Sequence, residues 1–262
     1  MSNRTLAQWL GSATLLFLAG TGMAQAQTLH FGVAAEPYPP FAEKRPDGQW
    51  QGFEIDLIKK LCEEMKSQCE IDEIAWDGII PSLLAKKIDV IFASMSVTDE
   101  RKKQIAFSVP YYDSAIGIVG REGTKVEVTP EGLKGKTVGV QISTVSANFM
   151  KAKYEHIADV KYYDTQDSAN ADLLAGRIDL VMADGTAVDA FVKTPDAKQA
   201  KLANLATAPH DPIFGEGVGA GMRQGDTALK AQLDTAITTL LKSPDYDKIS
   251  GKYFDISVKP NF

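Results

Sequence analysis

A polar segment with the chemistry of an anion-binding site follows a short apolar run in the chain. Residues 90–93, VIFA, are typical of a strand buried in a parallel sheet, and the hydroxyls of Ser94 and Ser96 come directly after it. Ligands of open α/β sheets bind at such strand ends. Thr98 then predicts the N-cap of a helix whose first turn contains Arg101. A guanidinium there can bind a carboxylate through two parallel hydrogen bonds.

Arg101 is the residue of this segment that most needs an explanation. The positive end of the helix dipole disfavours a cation in the first turn by roughly 0.3–1 kcal/mol. One interpretation is that Asp99, Glu100 or another surface carboxylate pairs with Arg101. The other is that Arg101 binds the carboxylate of a ligand. The residues alone leave both interpretations open.

The helix–strand unit that carries Ser94 occurs twice in the chain. Residues 82–94 read SLLAKKIDVIFAS and residues 172–184 read DLLAGRIDLVMAD, with most positions identical or chemically alike. Residues 136–140, KTVGV, also resemble residues 29–33, LHFGV. Chance rarely produces a whole unit in register. We therefore predict two α/β lobes of similar build.

The register of this repeat points to a second charged residue. Asp184 stands where the first copy has Ser94, so both side chains lie in the crevice if the two lobes face each other. The alternative is that Asp184 is only the N-cap of the helix after Gly185. Thr144 follows a predicted strand in the same way. It either opens a helix whose free N–H groups bind an anion or is a plain cap.

The N-terminus has the three parts of a secretory signal peptide. Arg4 gives a short positive region, residues 15–19 lie in an apolar stretch, and residues 24–26, AQA, form a small-residue cleavage site. We predict a signal peptide over residues 1–26, with Gln27 the first mature residue. Because no Cys follows the cleavage site, a lipoprotein is not expected. The exported product is then periplasmic where the host has an outer membrane.

Charge and cysteine content limit the partners. The net charge is −6, and an acidic surface argues against nucleic acid or anionic membrane as the main partner. Cys62 and Cys69 lie close together in an exported chain, which favours a local disulfide over a metal pair because no further Cys or His is near. No cofactor motif is present, since the glycines of residues 214–221 lack the strand–GxGxxG–helix context of a nucleotide site.

Periodicity predicts the remaining elements. The glycine density of residues 214–221 suits a crossover or hinge better than a packed strand. Asp77 is predicted to cap a helix. The predicted strands are residues 29–33 and 69–74, and the predicted helices are residues 53–65, 79–87, 229–241 and 245–253.

Several motifs carry a resemblance to a known family. They are YPPF at 38–41, GFEIDL at 52–57, WDGIIPSL at 76–83, SMSVT at 94–98, LKGKTVGV at 133–140, AGRID at 175–179 and KYF at 252–254. At these residues the chain resembles the bacterial periplasmic solute-binding proteins of the polar amino-acid family. Within it, the chain is most similar to those for lysine, arginine, ornithine and histidine and for the opines octopine and nopaline.

The resemblance implies a fold. It is the two-lobe type II periplasmic binding protein fold of the α/β class, in which each lobe is a mostly parallel sheet flanked by helices and two strands form the hinge. Lobe 1 is expected over residues 27–115 and 217–262 and lobe 2 over residues 116–216. The crossings are expected near 114–118 and 214–219. The family's local disulfide matches Cys62 and Cys69.

The resemblance also implies roles for the two charged residues. Arg101 is expected to clamp the ligand's α-carboxylate, helped by Ser96, Thr144 and Val145. Asp184 is expected to receive the α-ammonium, as is Ser94.

Three further residues are expected at the ligand's side chain. Tyr38 and Trp76 correspond to aromatic residues that sandwich it, where a cation gains about 0.5–2 kcal/mol from the ring faces. Glu36 either binds a distal cation of the ligand or is an exposed loop acid.

The expected function is therefore that of the substrate-binding component of an ABC importer. The chain would bind a polar, basic amino acid or an opine by hinge closure, as a monomer, and deliver it to an inner-membrane permease. Two alternatives remain. One is an exported enzyme on the same scaffold, similar to cyclohexadienyl dehydratases, for which the scattered His30, His156 and His210 give no support. The other is a ligand-sensing module for a membrane receptor.

Overall fold

The computed structural model describes residues 28–260, so the predicted signal peptide lies outside the described residues. Within residues 28–260, no helix has both the length and the apolar character needed to cross a membrane.

Two five-stranded sheets and one short hairpin make up the strands. The strands are β1 (Leu29–Ala34), β2 (Glu43–Lys44), β3 (Trp50–Gln51), β4 (Cys69–Ile74), β5 (Val90–Ile91), β6 (Ala106–Tyr112), β7 (Ile116–Arg121), β8 (Thr137–Gln141), β9 (Asp159–Tyr163), β10 (Leu180–Asp184), β11 (Leu202–Thr207) and β12 (Val218–Met222).

Helices cover both sheets. They are α1 (Phe53–Met65), α2 (Ile79–Leu84), α3 (Asp99–Lys102), α4 (Pro130–Leu133), α5 (Val145–Tyr154), α6 (Gln166–Leu174), α7 (Gly185–Val192), α8 (Pro195–Gln199), α9 (Thr227–Lys242) and α10 (Pro244–Ser250).

The two large sheets have the same plan. The first has the order β4-β1-β5-β12-β6, and the second, read from its other edge, has the order β9-β8-β10-β7-β11. In each sheet four strands run in one direction and one strand, β12 or β7, runs against them. We call the first sheet with its helices the first lobe and the second sheet with its helices the second lobe. The prediction of two mostly parallel sheets is confirmed.

Each time the chain crosses from one lobe to the other, the first strand that it forms there is the reversed strand of that sheet. Residues 113–115 lead from β6 of the first lobe into β7 of the second, and residues 208–217 lead from β11 back into β12. Both connections therefore join the lobes at equivalent places in the two sheets.

The sequence repeat is also a repeat of hydrogen bonds. In the first lobe the Asp89 carboxylate accepts from the N–H of His30 at 3.1 Å, and the Asp89 N–H donates to the His30 carbonyl. In the second lobe Asp179 makes the same two bonds with Thr137, with the carboxylate 2.9 Å from the N–H. The predicted similarity of the two lobes is thus confirmed at the level of single bonds.

Packing explains the shared glycine of the repeat. A Cβ on Gly32 would overlap the side chain of Ile88, and a Cβ on Gly139 would lie 2.6 Å from Cδ1 of Ile178. Both isoleucines are buried. Each copy of the Ile-Asp pair thus packs its isoleucine on a glycine of the neighbouring strand.

Cys62 and Cys69 form a disulfide that joins α1 to the start of β4. The predicted local disulfide is present, and the metal pair is not. So short a loop contributes about 2 kcal/mol in the chain-entropy account.

The predictions for both ends of helix α2 are wrong. Asp77 does not cap a helix, because Trp76–Gly78 forms a 3₁₀ turn and α2 begins after Gly78, where no side chain makes a cap bond. The chain was expected to stay helical to residue 87, but α2 ends at Leu84.

The glycine-rich segment contains a packed strand, contrary to expectation. All five residues of β12 are buried, and β12 lies between β5 and β6. A Cβ on Gly219 would lie 2.9 Å from Cγ2 of Val97 and 3.2 Å from the Ser108 carbonyl oxygen. The glycine is therefore explained by the close approach of its neighbours, which sequence periodicity does not reveal.

We predict that Gly219→Ala lowers the free energy of unfolding by about 1–3 kcal/mol, because the added methyl overpacks a stiff valine and a backbone carbonyl. Urea unfolding followed by circular dichroism measures this. Gly225→Ala is the matched control, since a Cβ there meets nothing within 4 Å, and it is expected to change the free energy by less than about 0.5 kcal/mol. Equal effects of the two substitutions would contradict the packing account.

Candidate functional site

A cavity lies between the two lobes at the ends of their strands. Ala34 ends β1, Gln141 ends β8 and Asp184 ends β10, and all three line it. The structure brings all nine predicted site residues to this cavity: Glu36, Tyr38, Trp76, Ser94, Ser96 and Arg101 on the first lobe, and Thr144, Val145 and Asp184 on the second.

Arg101 is positioned by its helix and by two carbonyl groups. Its N–H donates to Oγ1 of Thr98, so the predicted N-cap of α3 is confirmed. The guanidinium donates to the Ser96 carbonyl at 2.9 Å and, across the cleft, to the Ser143 carbonyl at 3.0 Å. Its central carbon lies 5.5 Å from the ring centroid of Trp76. These contacts fix the guanidinium in place without neutralising it.

No carboxylate of the described chain forms an ion pair with Arg101. Its neighbours are engaged elsewhere: Asp99 lies 3.6 Å from Lys102 and Glu100 lies 2.8 Å from Lys103. The interpretation that a nearby surface carboxylate pairs with Arg101 is therefore wrong.

Burial sets the electrostatics of this cation. Only 9% of Arg101 is exposed, and burial lowers its pKa to about 10, partly offset by the charge of Asp184. Arg101 is therefore protonated at neutral pH. A buried cation beside a cavity is favourable only when an anion compensates it, so the site is suited to a carboxylate.

Asp184 lies at the N-cap position of α7, but its side chain does not cap the helix. Its Oδ2 instead accepts a hydrogen bond from the Tyr38 hydroxyl across the cleft, at 2.9 Å. The plain-cap interpretation is therefore wrong. Burial raises the pKa of Asp184 to about 6, while the Tyr38 hydrogen bond and the charge of Arg101 act in the opposite direction. Asp184 is mostly ionised at pH 7 and can bind a cation.

The side chain of Thr144 caps helix α5, as the plain-cap interpretation predicted. The hydroxyl accepts from the Ala147 N–H at 3.1 Å and donates to the Gln141 carbonyl at 2.7 Å. Val145 and Ser146 also line the cavity, and their N–H groups, in the first turn of α5, have no carbonyl partner within the helix. Such N–H groups suit an anion.

Tyr38 is held by an aromatic stack. Its ring lies 5.5 Å from that of Phe41, with 17° between the planes, and Phe41 lies 5.0 Å from Tyr112. Phe41 and Tyr112 are fully buried. The stack therefore connects Tyr38 to the core of the first lobe and fixes the direction of its hydroxyl.

Trp76 and Glu36 contact each other through the backbone. A carboxylate oxygen of Glu36 accepts from the Trp76 N–H at 3.4 Å. Both residues are partly buried and line the cavity. Arg101, the predicted clamp for the ligand carboxylate, lies over the Trp76 ring. One of the two rings predicted to sandwich the ligand side chain therefore contacts this guanidinium.

Sequence reasoning missed three residues. Gln141 and Gln166 line the cavity, and Glu54 lies behind it with 1% of its surface exposed. Gln141 ends a predicted strand, and ligands of open α/β sheets bind at the carboxyl ends of strands, so this principle would have identified it. Nothing in the pattern marked Gln166, and Glu54 belongs to the motif GFEIDL, which carried the resemblance but gave this residue no role.

The chain is similar to known proteins over most of its length. The family model for bacterial extracellular solute-binding proteins, family 3, matches residues 29–256. The chain belongs to this family. The L-arginine-binding protein of Pseudomonas aeruginosa is 38% identical over 253 residues, which cover 95% of this chain and 96% of that protein. The octopine-binding periplasmic protein of Rhizobium meliloti is 34% identical, covering 95% of this chain and 97% of the relative.

The family's fold is also seen in solved structures. An ancestral arginine-binding protein bound to arginine superposes with a TM-score of 0.78 at 35% identity, covering 87% of this chain and 98% of that one. These matches confirm the predicted family and the type II periplasmic binding protein fold.

We predict that Tyr38→Phe raises the pKa of Asp184 further above its present value of about 6, because the lost hydrogen bond favoured the ionised carboxylate. Carboxyl ¹³C shifts followed across pH 4–8 measure this. Tyr154→Phe is the control, since the Tyr154 hydroxyl donates to the Val128 carbonyl instead. An unchanged midpoint in Tyr38→Phe would show that the hydroxyl does not bind Asp184.

Proposed function

We propose that this chain is the substrate-binding component of an ABC importer for a polar, basic amino acid or an opine. The observation that carries the proposal is that Arg101 and Asp184 line one cavity from different lobes. Arg101 donates to two carbonyl groups and Asp184 accepts from a hydroxyl, and neither forms an ion pair with another described residue. A zwitterionic ligand supplies both missing counter-charges at once.

The binding mode follows from the remaining hydrogen-bonding capacity. Arg101 uses one N–H each on Ser96 and Ser143 and keeps others for a carboxylate, which the N–H groups of Val145 and Ser146 also favour. Asp184 accepts one bond from Tyr38 and has room for an ammonium. Each charge-assisted bond in this cleft contributes about 1.5–3 kcal/mol. The cross-cleft bonds orient both groups when the lobes are together.

Hinge closure couples binding to transport in this proposal. Lobe 1, residues 27–115 and 217–262, and lobe 2, residues 116–216, move as rigid bodies about the two connections. One ligand satisfies Arg101 and Asp184 together only when the lobes meet, so binding energy favours closure. The closed form then docks on an inner-membrane permease. The protein acts in the periplasm as a monomer after loss of its signal peptide.

The class of ligand is supported by the cavity and by the relatives. Glu36 adds a second carboxylate to the lining and Tyr38 adds an aromatic ring, which together favour a cationic side chain. The relatives named above bind arginine and octopine by their names. Because those relatives are named as binding proteins, the proposal assigns no enzymatic activity to the chain.

We predict that Arg101→Ala weakens binding of the best ligand by about 10- to 150-fold, because one charge-assisted interaction of about 1.5–3 kcal/mol is lost. Calorimetry of the mature protein against arginine, ornithine, lysine, histidine, glutamine, octopine and nopaline identifies that ligand and measures the change. Arg45→Ala is the matched control, since Arg45 is exposed on the same lobe and its Nε donates to Gln51. Binding that survives Arg101→Ala unchanged would refute the proposal.

We predict that ligand affinity falls as the pH drops through about 6, the pKa of Asp184 in the ligand-free protein. A bound ammonium favours the ionised carboxylate and lowers its pKa, so below pH 6 binding must first remove a proton. Ligand affinity is expected to fall about tenfold between pH 7.5 and pH 5. Asp184→Asn is expected to bind weakly and without this pH dependence. The same slope in Asp184→Asn would assign the effect to another group.

A further inference from the structure

Glu54 is a buried acid that no step above uses. It lies in the first turn of α1, 1% exposed, and does not line the cavity. It does not cap its helix either, because the N–H groups of Phe53 and Glu54 donate to the carbonyls of Pro40 and Phe41. Burying a carboxyl group costs free energy, and helix capping does not explain why Glu54 is buried. Its other contacts therefore require an explanation.

The contacts of Glu54 lead to the ligand cavity. Its Oε1 accepts from the Ser94 N–H at 2.7 Å and from the hydroxyl of Tyr111, which is 1% exposed. Ser94 lines the cavity and Tyr111 lies in β6, two residues before the first connection between the lobes. One carboxyl group therefore joins a site residue to the strand that enters that connection.

Ser94 has a backbone conformation that needs support. Its φ is +52°, a left-handed value that costs a non-glycine residue roughly 1–2 kcal/mol. Its hydroxyl is buried and has no hydrogen-bond partner among the described residues. The residue is thus held in a strained conformation beside the cavity with an unused polar group.

We propose that Glu54 is a positioning residue for ligand binding: by accepting the Ser94 N–H, it holds Ser94 in the left-handed conformation that presents this residue to the ligand. The inference rests on the proposed function, since it explains how one ligand-contacting residue is fixed. It assigns to Glu54 a role that acts through Ser94 and not through direct contact with the ligand.

The surroundings of Glu54 give the proposal a spectroscopic signature. The titratable groups facing it are Tyr111 and Tyr112 on β6 and, from the cavity side, Tyr38 and Asp184. Burial raises the pKa of Glu54 to about 7, and the hydrogen bonds from Tyr111 and Ser94 oppose this shift. The amide ¹H and ¹⁵N shifts of Ser94 are therefore expected to change across pH 6–8, because that amide donates to the titrating carboxyl.

Three variants test the proposal by calorimetry with the best ligand of the mature protein. Glu54→Leu removes the acceptor and is expected to weaken binding at least tenfold. Glu54→Gln keeps an acceptor oxygen in a side chain of the same shape, and its ligand affinity is expected to lie within about threefold of wild type. Its Ser94 amide is expected not to titrate near pH 7. Leu57→Ala, one turn away in the same helix and also buried, is the control for lost stability and is expected to leave the affinity unchanged.

A double-mutant cycle isolates the contact with Ser94. Because glycine adopts a left-handed φ without strain, Glu54→Leu is expected to weaken binding less in a Ser94→Gly background than in the wild type. Equal losses in both backgrounds, or wild-type affinity in Glu54→Leu, would overturn the proposal.

The spectra separate this inference from the proposed function. If the wild-type protein binds no amino acid or opine, the proposed function fails. The Ser94 amide still decides whether Glu54 holds this residue: a titration that disappears in Glu54→Gln supports it, and an amide that never titrates overturns it.

Discussion

The structure depends on one electrostatic constraint, which is that a buried cation and a partly buried carboxylate lie on opposite walls of a cleft without forming ion pairs with other described side chains. Arg101 donates only to carbonyl groups, and Asp184 accepts from the Tyr38 hydroxyl. Neutral partners hold both groups in place, and the two charges offset each other only in part, which is unfavourable in a medium of low dielectric. A ligand carrying both charges relieves both costs, provided the walls are close together.

The topology explains why the walls can approach. In each sheet the reversed strand is the one that arrives from the other lobe, so both connections run between corresponding strands. The two sheets then present equivalent strand ends to one cavity, to which β1, β8 and β10 contribute their last residues. The same sequence unit therefore supplies Ser94 on one wall and Asp184 on the other. At the last position of the repeated unit, one copy presents a neutral hydroxyl to the cavity and the other a carboxylate.

The buried network behind the cavity shows how rigid packing supports the site. Tyr38 is fixed through Phe41 and Tyr112, and Ser94 is fixed through Glu54 and Tyr111. Tyr111 and Tyr112 are neighbours in β6, and both are buried. The strand that leads into the first connection thus anchors residues on two parts of the ligand cavity.

The sequence by itself determined the elements and the chemistry that depend on local pattern. The repeat predicted two similar lobes, the apolar run and Thr98 placed Arg101 in a helix turn, and the register matched Asp184 to Ser94. These features follow from periodicity and capping, which act over a few residues. Only the tertiary structure decided the partners. That Glu54 meets Ser94, that β12 is a packed strand and that Asp184 binds Tyr38 are contacts between residues far apart in the chain. The side-chain types at such positions are compatible with several environments, and only the packing of the whole chain selects one of them.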